Sequence, residues 1–380
     1  MRILLIGEYS RLHNSLKEGL QKNGHTVTLI GSGDGYKNFP VDIKIVSTFF
    51  ESILLKPFAK LIDKLFNISL NEVEIGIKYL IKIKKLKNYD IVQLINENAL
   101  QTIPIFQIYL LKKIITNNKK TFLLSCGTDY LSVKYSLDQK FKYSILTPYL
   151  NDKKLKKEYK HILKYTNKGF IKLHKFIFEN VSGIISSDLD YHIPLSNNEK
   201  YLGMIPNPVN IELINYSELL KSTKIKIFHG VSTKNYIKKG NVFFDESIKL
   251  LISKYEDKIQ YTRVEDIPYN KYIDCLKDSD IILDQVYAYD QGYNALEAMS
   301  MGKVVVTGAE KEWLEYYKIK EDTIAINALP NVNYLVNKLS ALIENPEKIK
   351  KISINARKFI EDHHNYKSIA SIYENKWINS

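Results

Sequence analysis

The amino-acid sequence predicts an α/β protein made of two parallel-sheet domains, and three observations carry that expectation. Short apolar runs of the buried-strand type alternate with helical stretches at residues 2–30 and again at 90–125. A strand, a helix and a second strand in that order predict a parallel pair closed by a right-handed crossover. A second series of the same kind begins at residue 225, after the proline-framed connector IPNPVN (205–210). At 380 residues the chain is also too long for one average core, so two domains are expected.

RILLIG (2–7) reads as a buried strand, residues 12–23 follow a helical period, and Gly24 supplies the stop. Residues 25–30 form the next expected strand. The order recurs with a strand at 90–95, a helix at 100–116 and a strand at 121–125. A long polar, tyrosine-rich helical stretch is expected over 130–165, then a helix at 168–180 and the strand GIISS (183–187). YLGMIPNPVNIE closes the first domain, its two prolines fixing an extended connector. The second series runs through IKIFHG (225–230), a helix at 241–255, a strand near 260 and a helix at 269–277. It continues with a strand at 281–283, a tyrosine-rich loop containing Gly292, a helix carrying Glu297 and a strand at 304–306. Helices at 346–360 and 366–377 end the chain.

The hydrophobic content of 45% is ordinary for a globular protein. No stretch approaches the roughly 20 uncharged apolar residues a membrane span needs. MRILLIGEYS lacks the pattern of a secretory signal. Cys126 and Cys275 make neither a disulfide framework nor a metal cluster, and cytoplasmic residence is expected. The net charge of +13 has two readings: a solvated lysine-rich surface, or attraction to an anionic membrane on the inner face of the plasma membrane. Residues 49–66 (FFESILLKPFAKLIDKLF) alternate apolar and lysine positions at helical spacing and suit such an interface or packing on their own domain. Nucleic acid is not an expected partner, since no nucleic-acid-binding motif accompanies the charge.

The segment DIILDQVYAYDQGYNALEAMSMGKVVVTG (280–308) is the most informative. Its Glu297 lies in the first turns of a helix that follows a parallel strand, where open α/β sheets bind ligands. HGVSTKNYIKKGN (229–241) makes a second candidate: a strand, a polar loop with Lys234 and Lys239, and a glycine opening a helix, an arrangement suited to an anion. LEAMSMGKVVVTG resembles the nucleotide-sugar-binding segment of glycosyltransferases with the GT-B fold, especially the family-four retaining enzymes of bacterial surface-polysaccharide synthesis. IPNPVN is similar to their interdomain hinge, and INARKFIEDHHNYKSIASIY to their C-terminal helix. The resemblance implies two Rossmann-like domains facing each other across a cleft: 1–207 on the acceptor side, 208–360 binding the donor, and 361–380 returning to the first domain. It implies that Glu297 hydrogen-bonds the ribose, the alternative being a capping-turn carboxylate. Lys239 matches the family lysine that holds the donor diphosphate, and Lys234 stands at the family's arginine, with loss of bidentate geometry. The donor-binding set is Gly230, Lys234, Lys239, Asp290, Gly292, Tyr293, Asn294 and Glu297.

Three departures bear on catalysis. Tyr289 stands eight positions before Glu297, where the family has a first glutamate, and Asp290 follows it as a substitute. CGTD (126–129) replaces the family's His-Gly, so Asp129 joins Lys239 and Glu297 as a candidate catalytic residue; a turn-forming carboxylate is its other reading. The first loop lacks a glycine pair, and Glu8 to Asn14 are expected on the acceptor side. Asp188 and Asp190, EDHH (361–364) and the GSGDG run (31–35) are expected decoys, and Cys275 a core residue.

The function implied is transfer of a sugar from a nucleotide-sugar donor to a saccharide or lipid-linked acceptor, with retention and without metal or cofactor. A nucleotide-sugar 2-epimerase of the same fold and a non-catalytic binding subunit are the alternatives.

Overall fold

The run RILLI (Arg2–Ile6, β1) pairs with a parallel strand on each side, and its last four residues are fully buried. Such two-sided burial explains why it is a continuous apolar run rather than an alternating one. The computed structural model describes residues 1–66, 68–217, 219 and 222–380, with the backbone alone at Tyr36.

Two compact units share the chain. Met1–Lys134, Lys160–Pro208 and Tyr366–Ser380 make the first; Tyr135–Tyr159 and Val209–Asn365 make the second. The first holds β1, β2 (Thr26–Gly31), β3 (Ile43–Lys44), β4 (Ile91–Leu94), β5 (Lys120–Ser125), β6 (Gly183–Ser186) and β7 (Tyr201–Met204). They form one parallel sheet in the order β3-β2-β1-β4-β5-β6-β7. The second holds β8 (Ile225–Val231), β9 (Ile259–Glu265), β10 (Ile281–Leu283), β11 (Val304–Thr307) and β12 (Ile326–Asn327). Their parallel order is β12-β11-β10-β8-β9. Phe244, Ile248 and Leu251 from the helix Asn241–Tyr255 and Leu335 and Leu339 from the helix Val332–Ile343 close the core over this sheet.

The C-terminal helix Tyr366–Asn379 belongs to the first unit, where it packs along α1 (Leu12–Lys22). Fully buried Trp377 donates its indole N–H to Gln93 of β4 at 3.1 Å, and His25 lies 3.1 Å from Glu374. The change of unit falls at residue 365 rather than 360. The helix Pro346–His363 runs three residues further than its apolar pattern, and the Val209 amide then donates to the His364 carbonyl at 2.7 Å.

Four further expectations are corrected. The stretch 130–165 is not one helix: α5 (Tyr130–Leu137) ends before Gln139, whose φ is +55°, and short pieces follow. Its middle part, Tyr135–Tyr159, lies in the second unit, so the first domain is not simply residues 1–207. The helix expected from residue 100 starts at Pro104, the position where a missing N–H costs nothing. Cys275 is only partly buried, and of the two cysteines Cys126 is the core one. Among the described residues no helix is long and apolar enough to cross a membrane.

Candidate functional site

β11, β10 and β8 are parallel neighbours, so their carboxyl ends, and the loops that leave them, lie along one edge of the second sheet. The loop after β8 carries exposed Lys234 on a short turn (Thr233–Asn235) and Lys239 at the end of the helix Tyr236–Lys239. Gly240 follows with φ +71°, ending that helix and opening the helix Asn241–Tyr255. A Cβ here would lie 2.8 Å from the Val286 side chain, so both conformation and space require glycine. No side chain caps this helix start.

Asn241, the first residue of that helix, is fixed by buried His229. Burial holds the His229 pKa below its ordinary value. Its Nε2 meets Asn241 Oδ1 at 2.8 Å, and its Nδ1 meets the Tyr261 hydroxyl at 3.0 Å. The acceptor oxygen of Asn241 assigns the ring proton to Nε2.

Lys239 is not a solvated loop lysine. Its Nζ donates to Asp284 Oδ1 at 2.9 Å, and Thr307 of β11 donates to the other oxygen of Asp284 at 3.1 Å. The Lys239 carbonyl accepts the Val286 amide at 2.8 Å. Asp284, one residue past β10, thus ties the segment after β8 to β11; sequence reading passed it over, although an acidic residue directly after ILL signals it.

Glu297 sits in the helix Tyr293–Ser300 and is buried, its Oε1 accepting the Tyr269 hydroxyl at 2.6 Å. Gly292 occupies the start of this helix, Tyr293 and Asn294 its first turn, and no side chain caps it. Gly230 packs under the ring of Tyr272. Asp290 turns its carboxylate onto the next backbone amide, Gln291, at 2.7 Å.

Tyr289 receives the Tyr135–Tyr159 arm instead of a carboxylate's partner. Its hydroxyl accepts the Lys142 amide at 2.8 Å, and its ring lies 5.1 Å from Phe141 and 5.6 Å from Tyr143. Beside it, buried Glu310 accepts from Tyr143 Oη, from Asn327 at 2.9 Å and from Lys142 Nζ at 3.1 Å. Burial opposes the charge on Glu310, but these hydrogen bonds prevail and hold its pKa below the ordinary value.

Asp129 lies in the first unit, buried at the head of α5. One carboxylate oxygen accepts the Ser132 amide at 2.7 Å and the other the Ser125 hydroxyl. Nearby Glu97, buried and overlooked in the sequence, accepts from Tyr130 N at 3.1 Å and meets His174 Nδ1 at 2.6 Å. Burial raises its pKa despite the histidine. Glu8, His13 and Asn14 are buried beneath the first loop, with Glu8 Oε2 accepting two hydrogen bonds from Asn14 at 2.8 and 2.7 Å. Asp188 caps the helix Leu189–Leu195, accepting the Asp190 amide at 3.2 Å.

Residues 232–375 match a family described as glycosyl transferase-like. No curated protein matches the chain. Solved structures similar over 100% of this chain include a sucrose-phosphate synthase from Thermosynechococcus elongatus, at 14% identity over 100% of that chain with a TM-score of 0.62. Another is Anabaena Alr3699/HepE in complex with UDP and glucose, at 12% identity over 100% of that chain with a TM-score of 0.59. A glycosyltransferase from Rickettsia africae is similar at 16% identity over 99% of its length, with a TM-score of 0.53. The fold is GT-B. In this GT-B chain the family match begins at the β8 loop and includes Lys239, Asp284, Glu297 and Glu310.

Proposed function

We propose that the protein transfers a sugar from a nucleotide-sugar donor to a saccharide or lipid-linked acceptor, with retention of configuration and without a metal ion. The observation that carries this reading is Lys239, held by Asp284 beside the uncapped start of the helix Asn241–Tyr255, within the segment matching the glycosyl transferase-like family. When the bond from the sugar carbon to the diphosphate breaks, its electron pair goes to the phosphate oxygen. An ammonium group and free helix amides stabilise that charge without reorganising. The acceptor hydroxyl forms the new bond to the same carbon on the same face and gives its proton to the departing phosphate oxygen. Glu297, held by Tyr269, is assigned to the ribose hydroxyls. Lys234, Gly230, Asp290, Gly292, Tyr293 and Asn294 complete the donor side, and Asp129 is assigned to the acceptor side. HepE was solved with UDP and glucose, which supports a uridine-type donor class here. A lipid-linked acceptor agrees with a peripheral position on the inner face of the plasma membrane, where the net charge of +13 favours anionic lipid.

An epimerase of the same fold would bind the same donor and need no acceptor; the family match favours transfer. The test is a panel of nucleotide sugars. The true donor raises the melting temperature, as a ligand at 100 times its Kd stabilises by about 2.7 kcal/mol. With that donor, nucleoside diphosphate release depends on added acceptor. Epimer formation without acceptor, or no stabilisation by any nucleotide sugar, sinks the transferase reading.

A further inference from the structure

The first unit carries an apolar surface that its own fold leaves uncovered. Ile53 and Leu54 are 91% and 89% exposed, and the following α2 (Lys56–Phe66) buries only Ala59. Phe58, Leu61 and Leu65, spaced to share one face of α2, are each at least half exposed. On α3 (Leu70–Lys82), Ile77 and Ile81 add to the exposed apolar surface. Amphipathic surface helices ordinarily turn this face to the core, and a cluster of this kind marks an interaction surface.

The exposure is built into the structure. Glu74 of α3, buried, accepts the amides of Thr48, Phe49 and Phe50 at 2.9, 3.0 and 3.1 Å, the Ser47 hydroxyl at 2.6 Å, and pairs with Lys78 at 2.7 Å. Burial opposes its ionisation, yet these donors hold its pKa well below the ordinary value. With the Thr48 hydroxyl at 3.3 Å, six donors on this carboxylate fix Ser47–Phe50, the segment that leads into Ile53 and Leu54.

The charge around the patch selects the partner. Residues 49–87 hold eight lysines against four carboxylates. Among the described residues, Lys60, Lys64, Lys82, Lys84, Lys85 and Lys87 form no ion pair within 4.0 Å. Apolar side chains on one face with lysines beside them match the layered chemistry of a bilayer surface, acyl chains beneath anionic headgroups. A second copy of this chain would bring lysine against lysine.

We propose that Ile53, Leu54 and the Phe58–Leu61–Leu65 face of α2 insert into the interfacial layer of an anionic membrane, with the neighbouring lysines on the headgroups. This deepens the lipid-linked acceptor reading by naming the surface that meets the lipid, and its test needs neither donor nor turnover.

Full-length protein is co-sedimented with vesicles of phosphatidylglycerol and phosphatidylcholine, or of phosphatidylcholine alone, at 0.1 M and 1 M salt. Binding to the anionic vesicles is expected, with a fraction surviving 1 M salt, where the Debye length falls to about 3 Å. Ile53→Ser with Leu54→Ser removes at least tenfold of the salt-resistant partition at unchanged melting temperature, because both side chains are already in water. Lys60→Ala with Lys64→Ala lowers low-salt partition about 30-fold, roughly fivefold per lysine lost. The proposal is overturned if wild-type protein ignores anionic vesicles, or if the serine variant binds as well as wild type. It is equally overturned if the patch proves to join two copies, read as a dimer by light scattering that the serine variant abolishes. Failure of the transferase test with vesicle binding intact removes the proposed function and leaves this surface standing.

Discussion

Lys239 is positioned by its counter-ion. With Asp284 2.9 Å away and Thr307 holding that carboxylate, the ammonium group is fixed before any ligand arrives. Lys239→Ala is expected to lower turnover by about 10²- to 10³-fold, the usual cost of one preorganised electrostatic group. The melting temperature should fall less than for a core truncation. Asp284→Asn should lower turnover less, and the double variant should be no worse than Lys239→Ala alone, since the two act as one unit. Additive losses in steady-state rates would show that Asp284 acts independently. Asp129 is a harder case, because one of its oxygens already serves the turn into α5 and the other the end of β5. Asp129→Asn keeps an acceptor for Ser132 and should melt near the wild-type temperature while turnover falls. Undiminished turnover in that variant would leave Asp129 as a turn residue alone. Glu8 yields a prediction about pH. Burial pushes its pKa from 4.5 to about 8. A carboxyl raised in the folded state contributes stability that is present below the unfolded value and lost as pH rises through the folded one. Glu8→Gln is therefore expected to match wild type near pH 4.5 and to gain on it, on the order of a few kcal/mol, toward pH 8. Parallel melting-temperature profiles across that window would refute the burial argument.

At the scale of elements, the arm Tyr135–Tyr159 explains the missing glutamate. Tyr289 stands where the resemblance expects a carboxylate, and it accepts the Lys142 amide while its ring meets Phe141 and Tyr143. Glu310 completes the attachment through Tyr143 Oη and Lys142. The loop that follows β10 is thereby braced by a segment from the first half of the chain. Tyr143→Phe deletes one donor to a buried carboxylate and should cost about 1–3 kcal/mol, measured by thermal or urea unfolding. A neutral result would mean that the arm contributes nothing to holding Glu310. The second sheet also shows why the β8 and β10 loops act together: parallel pairing brings Gly240 against Val286, a contact that accepts no larger residue.

At the scale of the whole molecule, period and punctuation made most elements legible. The helices Asn241–Tyr255 and Tyr269–Lys277 and the strand β10 fall at the residues their patterns mark, because amphipathic spacing and glycine stops are local properties. β3 and β12, each two residues long, carry no pattern of their own and exist only as edge partners of β2 and β11. The Lys239 and Glu297 segments stood out in the sequence because each combines a strand, a loop and a helix start within a few residues. Asp284 and Tyr269 did not, since their partners lie 45 and 28 positions away. What the sequence determined by itself was the two α/β series and their parallel pairing, both of which follow from short-range periodicity and turn chemistry. Only the tertiary structure decided that Tyr135–Tyr159 joins the second unit and that the chain crosses back to the first at residue 365. It also decided that the apolar face of α2 points outward. Those outcomes depend on which surfaces meet, and an apolar face reads the same in sequence whether a core, a partner or a membrane covers it.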